Sequence, residues 1–368
     1  MTGKRTVSLL LAAILALSGV YASGAIFLKH EQRATHYASE ETEETWFSHS
    51  ETKESFDFGL EEYWIDLNDL EYTVKDNIKS YLFIGTDHSG NEKATDETYQ
   101  GSMADFLLVA VINKTEKTYG FIQLNLDTIT EVVLVDQDGE VYGSAEEQLC
   151  TAHWYGGSRQ QSCLNTVDVV SDLLGGLTID GYYSVGMDDI AQLNHVIGGA
   201  TVTIEDDFSK VDPSLKMGEE ITLTDEQAYH YLQGRMAIGG GENESRMRRQ
   251  RTYMEAVYDK VIDRVKTEKN FLEDITDTLG DSVTTNMNGE DFAEFRDAFR
   301  EGESLGIQSP EGESVLGRKL DDGLDHMEFY MDEASMADIL IEMCGLEIDD
   351  LGDWDYLETE TEVWEDFT

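Results

Sequence analysis

Residues 104–128 read ADFLLVAVINKTEKTYGFIQLNLDT, and the fold turns on them. Two apolar runs, 106–112 and 119–126, flank the polar turn Asn113-Lys114-Thr115-Glu116-Lys117, the pattern of an antiparallel β-hairpin. One carboxylate bounds each run: Asp105 enters the first strand and Asp127 leaves the second. In such a pair the start of one strand lies beside the end of the next, so both acids are expected at one edge of the sheet. Two neighbouring carboxylates suit a hard divalent cation such as Mg²⁺, which takes oxygen ligands and commonly only one or two from the protein. Two solvated turn acids would give the same spacing, since strand ends are polar by default and the chain has 76 Asp and Glu.

Working outward, residues 80–86 (SYLFIGT) form a compact apolar run that ends in Asp87 and the polar loop 88–102. Beyond the hairpin, 131–135, the turn Asp136-Gln137-Asp138-Gly139 and 140–142 give a second hairpin signal. Helical spacing follows at 164–174, with Leu164, Val167, Val170, Ser171 and Leu174 on one face and Gly175-Gly176 as the stop. A strand at 182–185, a helix at 187–197 and a strand at 200–204 come next. Residues 224–232 open with a Thr224-Asp225-Glu226-Gln227 capping box, and 246–266 form a long helix. Further helices are expected near 271–279, 289–299 and 335–344, with a strand at 326–331. The fold class is therefore α/β, an α+β sandwich with a central, mostly antiparallel sheet flanked by helices.

At the N-terminus, Lys4 and Arg5 precede an apolar run from residue 7 to 28, long enough to cross a hydrocarbon core of about 30 Å. The basic pair lies before the run, which predicts a cytoplasmic tip and an exported remainder. A cleaved signal peptide is the alternative, with 9–17 as its apolar region and Val20-Tyr21-Ala22 near the cut. Continuation through Ala25-Ile26-Phe27-Leu28 favours a single-pass transmembrane anchor. The expected layout is tip and anchor at 1–33, an acidic extracellular stalk at 34–79, a domain at 80–345 and an acidic disordered tail at 346–368. Within the stalk, LEEYWIDLNDLEY (60–72) reads as a short amphipathic helix. Cys150 and Cys163 are candidates for a disulfide outside the cell, which leaves Cys344 over.

The chain of 368 residues carries a formal charge of −50, which argues against a general binder of phosphate backbones. No helix-turn-helix pattern or basic DNA-reading face is visible, so nucleic acid is not an expected partner. Against that background Arg235, Arg246, Arg248, Arg249 and Arg251 cluster within 17 residues. On a helix Arg246, Arg249 and Gln250 share a face, and the planar guanidinium fork suits phosphate oxygens. Gly239-Gly240-Gly241 permits close backbone approach, and the helix N-terminus favours an anion. Arginines that merely balance nearby acids on an exposed face are the plainer alternative.

In order, the chain carries Gly85-Thr86-Asp87, Ala104-Asp105 before FLLV, Leu126-Asp127-Thr128, LCTAHWYGG at 149–157, YLQGR at 231–235 and Arg246-Met247-Arg248-Arg249-Gln250. This sequence of motifs, over 80 to about 266, resembles the LytR-CpsA-Psr (LCP) family of bacterial envelope proteins. The resemblance implies a membrane-anchored phosphotransferase on the extracellular side of the cell membrane. Its substrate would be a glycopolymer on polyprenyl pyrophosphate, and its acceptor peptidoglycan. Asp105 and Asp127 would hold Mg²⁺, and Arg235 and Arg246 would join them as catalytic residues. Asp87, Gln233, Arg235, Asn243, Arg246, Arg249 and Gln250 would bind the pyrophosphate, and an apolar tunnel under the sheet would take the prenyl chain.

The sequence also departs from the family pattern. Met103, Leu126 and Gln233 stand where the family has arginines, Asn243 where it has an acid, and Cys150 where its loop has asparagine. A degenerate, non-catalytic member that binds polyprenyl phosphate or glycan is thus a second expectation. A surface adhesion or signalling protein, which needs only the anchor and the charge, is a third.

Overall fold

The structure, a computed structural model, describes residues 63–348 apart from 68–69, 76, 87–98, 100, 137, 187–188, 234–237, 239–242, 268–282 and 320–323. The expected anchor, the first part of the stalk, most of the tail, Asp87, Arg235 and the expected helix at 271–279 lie outside the described residues. Among the described residues no helix is long and apolar enough to cross a membrane.

The described chain opens with β1 (Tyr63–Leu67), β2 (Leu70–Val74), β3 (Ile78–Thr86), β4 (Ala104–Asn113) and β5 (Thr118–Gln123). There follow β6 (Ile129–Val135), β7 (Val141–Gln148), a 3₁₀ turn at Leu149–Trp154, α1 (Arg159–Leu173), β8 (Gly181–Gly186) and α2 (Asp189–Ile197). Next come β9 (Thr201–Thr203), β10 (Glu220–Thr222), α3 (Asp225–Gln233), α4 (Asn243–Thr267), β11 (Thr284–Thr285) and α5 (Gly289–Glu301). The last elements are β12 (Glu303–Gln308), β13 (Gly312–Gly317), β14 (His326–Met331), α6 (Glu333–Cys344) and β15 (Glu347–Ile348).

Six strands form the central sheet in the order β11-β8-β3-β4-β5-β12. The β4–β5 hairpin is central as expected, in register from Leu108↔Gln123 to Asn113↔Thr118. The sheet is mixed: three of its five pairings are antiparallel, while β8 lies parallel to β3 and β12 parallel to β5, each entering the sheet after a helix. Alternate residues point to opposite faces. Tyr81, Phe83, Phe106 and Leu108 pack on the side of α2, α3, α4 and α5. Leu82, Ile84, Leu107 and Val109 pack on the side of α1 and α6. Burial on both faces is why β4 is apolar almost throughout.

Four expectations need correction. Residues 63–67 and 70–74 pair as the antiparallel β1–β2 hairpin and not as an amphipathic helix, since Ile65, Tyr72 and Val74 are buried at strand period against the α6 side of the sheet. The folded domain therefore begins at or before Tyr63, inside the expected stalk, and Glu347–Ile348 pairs with β2, inside the expected tail. On α1, Leu164 is 41% exposed, and the buried face is instead Ser162, Cys163, Asn165, Thr166, Val169 and Val170. That face is partly polar because its groups are bonded: Asn165 Nδ2 donates to Val133 O and Ala152 O, and Thr166 Oγ1 to Ser162 O. Finally, Cys150 and Cys163 are thiols and not a disulfide. Cys163 Sγ lies 3.6 Å from His153 Nε2, so the α1 cysteine is turned to the histidine.

Candidate functional site

The site lies at the end of the central sheet where β4 begins and β5 ends. Leu124 N donates to Leu107 O just beyond the last β5 pair, and 124–127 then form a turn in which Thr128 N donates to Asn125 O. The second strand of the expected hairpin thus stops at Gln123, three residues early, but both acids are at one end of the hairpin. Asp105, Asp127, Asn125, Asn243 and Arg246 are all buried.

A continuous set of hydrogen bonds joins them. Arg246 Nη1 reaches Asp105 Oδ1 at 3.3 Å, and Arg246 Nε donates to Asn243 Oδ1 at 3.0 Å. Asn243 Nδ2 donates to Asn125 Oδ1 at 2.5 Å, and the same oxygen accepts Asp127 N at 3.0 Å. Gln148 Nε2 then donates to Asp127 Oδ1 at 3.1 Å and to Met327 O at 2.6 Å. Asn243 is the first residue of α4, so the helix start, the β4 entry and the β5 exit are bonded into one unit. The 3₁₀ turn closes the side: Leu149 N donates to Thr128 O and Cys150 N to Leu126 O.

Not every expected ligand of a pyrophosphate faces this point. Three helix positions turn through about 300° and four through about 400°, so Arg249 and Gln250 diverge by about 100°. Gln250 lies on the Arg246 side and accepts from Gln123 Nε2 at 3.1 Å. Arg249 points toward α3 and β9, where Nη1 meets Asp206 Oδ2 at 2.5 Å and Nε donates to Tyr231 O at 3.0 Å. Its guanidinium also lies 5.6 Å from the centre of the Phe208 ring. Burial pushes the Asp206 carboxyl up, but the bonds from Arg249 and Ser245 outweigh it and hold the group below the ordinary carboxylate range. Arg249 is thus a buried structural cation. Gln233 ends α3, and Arg235 lies outside the described residues. Ile190 is ordinary buried core against the sheet.

His153 of the 3₁₀ turn is 2% exposed, with Nδ1 2.9 Å from Ser102 O and Nε2 facing Cys163. The carbonyl requires a donor, which puts the proton on Nδ1. Burial pushes the imidazole down to about 4, partly offset by that backbone bond.

The two carboxylates are of the donor type that a magnesium ion takes. Asp105 and Asp127 are hard oxygen groups at one end of one hairpin, oriented by Arg246 and Gln148. Among the described residues no group of three or more His, Cys, Asp or Glu is arranged to hold a metal, so the fit is to an ion that takes its remaining ligands from substrate and water. Gln250 Nε2 is a buried donor without a hydrogen-bond partner, which fits an anionic ligand beside Arg246. Sequence reading missed Asn125, Gln148 and Gln123, because neutral amides carry no charge signal.

Comparison with known proteins bears on the family and the fold. The model of the LytR_cpsA_psr family matches residues 28–342. The polyisoprenyl-teichoic acid–peptidoglycan teichoic acid transferase TagU of Halalkalibacterium halodurans is 27% identical over 221 residues, 60% of this chain and 65% of that protein. The chain thus matches just under two thirds of the length of that relative. Among solved structures, protein gbs0355 from Streptococcus agalactiae aligns with a TM-score of 0.57 at 18% identity, over 74% of this chain and 90% of that one. TagT bound to LIIa-WTA aligns with a TM-score of 0.52 at 19% identity, over 73% and 92%. At those identities the two structures establish a shared fold.

Proposed function

This chain belongs to the LytR_cpsA_psr family, and from that membership we propose that it moves a glycopolymer from a polyprenyl-pyrophosphate carrier onto peptidoglycan. The name of the matched relative, a teichoic acid transferase acting on peptidoglycan, supports the substrate class. The observation that carries the reading is the buried Asp105–Arg246 pair, bonded through Asn243 and Asn125 to the backbone of Asp127.

In the proposed reaction a peptidoglycan hydroxyl attacks the phosphorus that bears the glycopolymer. Its proton passes to a carboxylate of the Asp105–Asp127 pair. The bond from that phosphorus to the bridging oxygen breaks, polyprenyl phosphate leaves, and a phosphodiester remains. Arg246 and Gln250 orient and neutralise the diphosphate oxygens, a form of stabilisation that depends on donors fixed before the reaction. Asp105 and Asp127 would hold Mg²⁺, which supplies further neutralisation of the diphosphate charge when bound. Residues 7–28 would anchor the protein as a single span with the domain outside the cell, at the surface where a polyprenyl carrier resides.

The test is the full chain in detergent with Mg²⁺ and a polyprenyl-pyrophosphate-linked saccharide. Release of polyprenyl phosphate is expected, with Asp105→Ala and Asp127→Ala inactive. Wild-type protein that is folded and retains lipid but gives no turnover would reject catalysis. It would establish the second reading, a lipid- or glycan-binding member. That reading is favoured by Met103 and Leu126, both buried apolar side chains where the family carries arginines.

A further inference from the structure

One set of side chains beside the carboxylates has a fixed direction. Gln123, the last residue of β5 and 1% exposed, accepts at Oε1 from Arg251 Nη2 at 3.3 Å. Its Nε2 donates to Met247 O at 3.2 Å and to Gln250 Oε1 at 3.1 Å. Arginine can only donate and a carbonyl can only accept. The Gln123 carboxamide therefore cannot be reversed without setting donor against donor and acceptor against acceptor. This in turn holds Gln250 Oε1 as an acceptor and leaves Gln250 Nε2 as the donor not used by Gln123.

That nitrogen is buried and has no hydrogen-bond partner, while Gln250 itself is 2% exposed. It lies one helical turn beyond Arg246 on the same side of α4. A buried amide donor left unmade is costly, and a ligand oxygen would satisfy it. Arg251 pairs with no carboxylate among the described residues: its other bond is from Nη2 to Ser309 Oγ at 2.7 Å, and its Nε has no partner. An unneutralised cation at the head of the relay strengthens Gln250 as a donor to an anion.

We infer that Gln123 and Arg251 are positioning residues that present Gln250 Nε2 to a phosphoryl oxygen of the lipid-linked substrate. This rests on the phosphotransfer reading of the site. It assigns a role to Gln123 and Arg251 that acts through Gln250 and not through the carboxylate pair.

The experiment measures binding of geranylgeranyl pyrophosphate to the full chain in detergent micelles, with geranylgeraniol as the uncharged control. Gln123→Glu keeps the shape and the Arg251 contact, but an ionised Glu cannot donate to Gln250. The Gln250 amide then turns to donate to it and offers its oxygen to the ligand. Pyrophosphate binding is expected to weaken about tenfold with alcohol binding unchanged, while the melting temperature falls somewhat because the carboxylate faces Met247 O. Gln250→Leu is expected to lose as much, and the double variant no more than either single one. Pyrophosphate affinity within about twofold of wild type in a folded Gln123→Glu protein, or additive losses, overturns the inference. Should the Gln123 variants not fold, Arg251→Met decides. A loss of about threefold to fivefold is expected from weaker polarisation of the relay, and none would overturn it. Wild-type protein with no preference for the pyrophosphate over the alcohol overturns the phosphotransfer reading together with this inference. A wild-type preference that survives in Gln123→Glu removes the inference alone.

Discussion

Arg246 and Arg249 are three residues apart on α4, both buried and both facing a carboxylate, yet they are held in different ways. Arg249 meets Asp206 at 2.5 Å and is also bonded to Tyr231 O and Ser245 Oγ. Arg246 stands 3.3 Å from Asp105, and its Nε bond goes to Asn243, a residue itself tied to the turn that carries Asp127. A short, multiply bonded pair fixes the fold. The longer pair lies among polar side chains at a sheet end, where the proposed anionic substrate would meet the guanidinium. The difference teaches that arginine count on this helix overstates the phosphate-binding capacity of the site.

The largest effect should come from breaking the tight pair. Arg249→Met takes away the closer and more buried of the two cations on Asp206, leaving Arg248 Nη2 at 3.0 Å, and is expected to cost about 3 kcal/mol of stability in urea denaturation. An equal loss for Arg246→Met would erase the distinction between the pairs. Next, Arg246→Met and Asp105→Asn should reduce transfer roughly 10²–10³-fold, the usual consequence of losing one preorganised group. Arg249→Lys, assayed at a temperature where it is folded, should change turnover far less.

Acid titration sharpens the contrast. His153 is held neutral with its pKa pushed down to about 4, below the ordinary value for histidine. Between pH ~6.5 and ~4 the unfolded chain takes up a proton that the folded one does not, so stability falls as pH falls, by roughly 3 kcal/mol in all. His153→Phe should flatten that window in a series of melts. Below it, the lowered Asp206 group contributes stability that is fully present above its unfolded value of about 3.9 and is lost as pH falls through the folded one. This second decline should shrink in Arg249→Met, where only Ser245 and Arg248 still favour the Asp206 carboxylate. The smallest effect is a control remote from both arginines: Ser158 caps α1 by accepting from Gln161 N, and Ser158→Ala should cost about 1 kcal/mol with turnover unchanged.

Much of this was legible in the sequence, and the gaps have physical causes. The β4–β5 hairpin announced itself because strands buried on both faces must be apolar throughout. The cap of α3 was readable because Thr224 and Gln227 exchange both bonds as the spacing requires. Asp105, Asp127, Asn243, Arg246 and Gln250 were named in advance and occupy one region. Arg249 was misplaced because its partner Asp206 is 43 residues away and no local pattern links them. Asn125 was invisible for a similar reason, since its bond to Asn243 spans 118 residues. The β1–β2 hairpin was mistaken for a helix because acids between aromatics fit both periods, and only burial of Ile65, Tyr72 and Val74 decides.

The antiparallel match of Ile348 with Tyr72 has a practical outcome. It fastens the last described strand to the first hairpin, so the end of the folded domain is held against its beginning by main-chain bonds. Stopping translation ahead of Glu347 would strip the cover from β2 and bare a row of backbone donors and acceptors, an invitation to pairing between molecules.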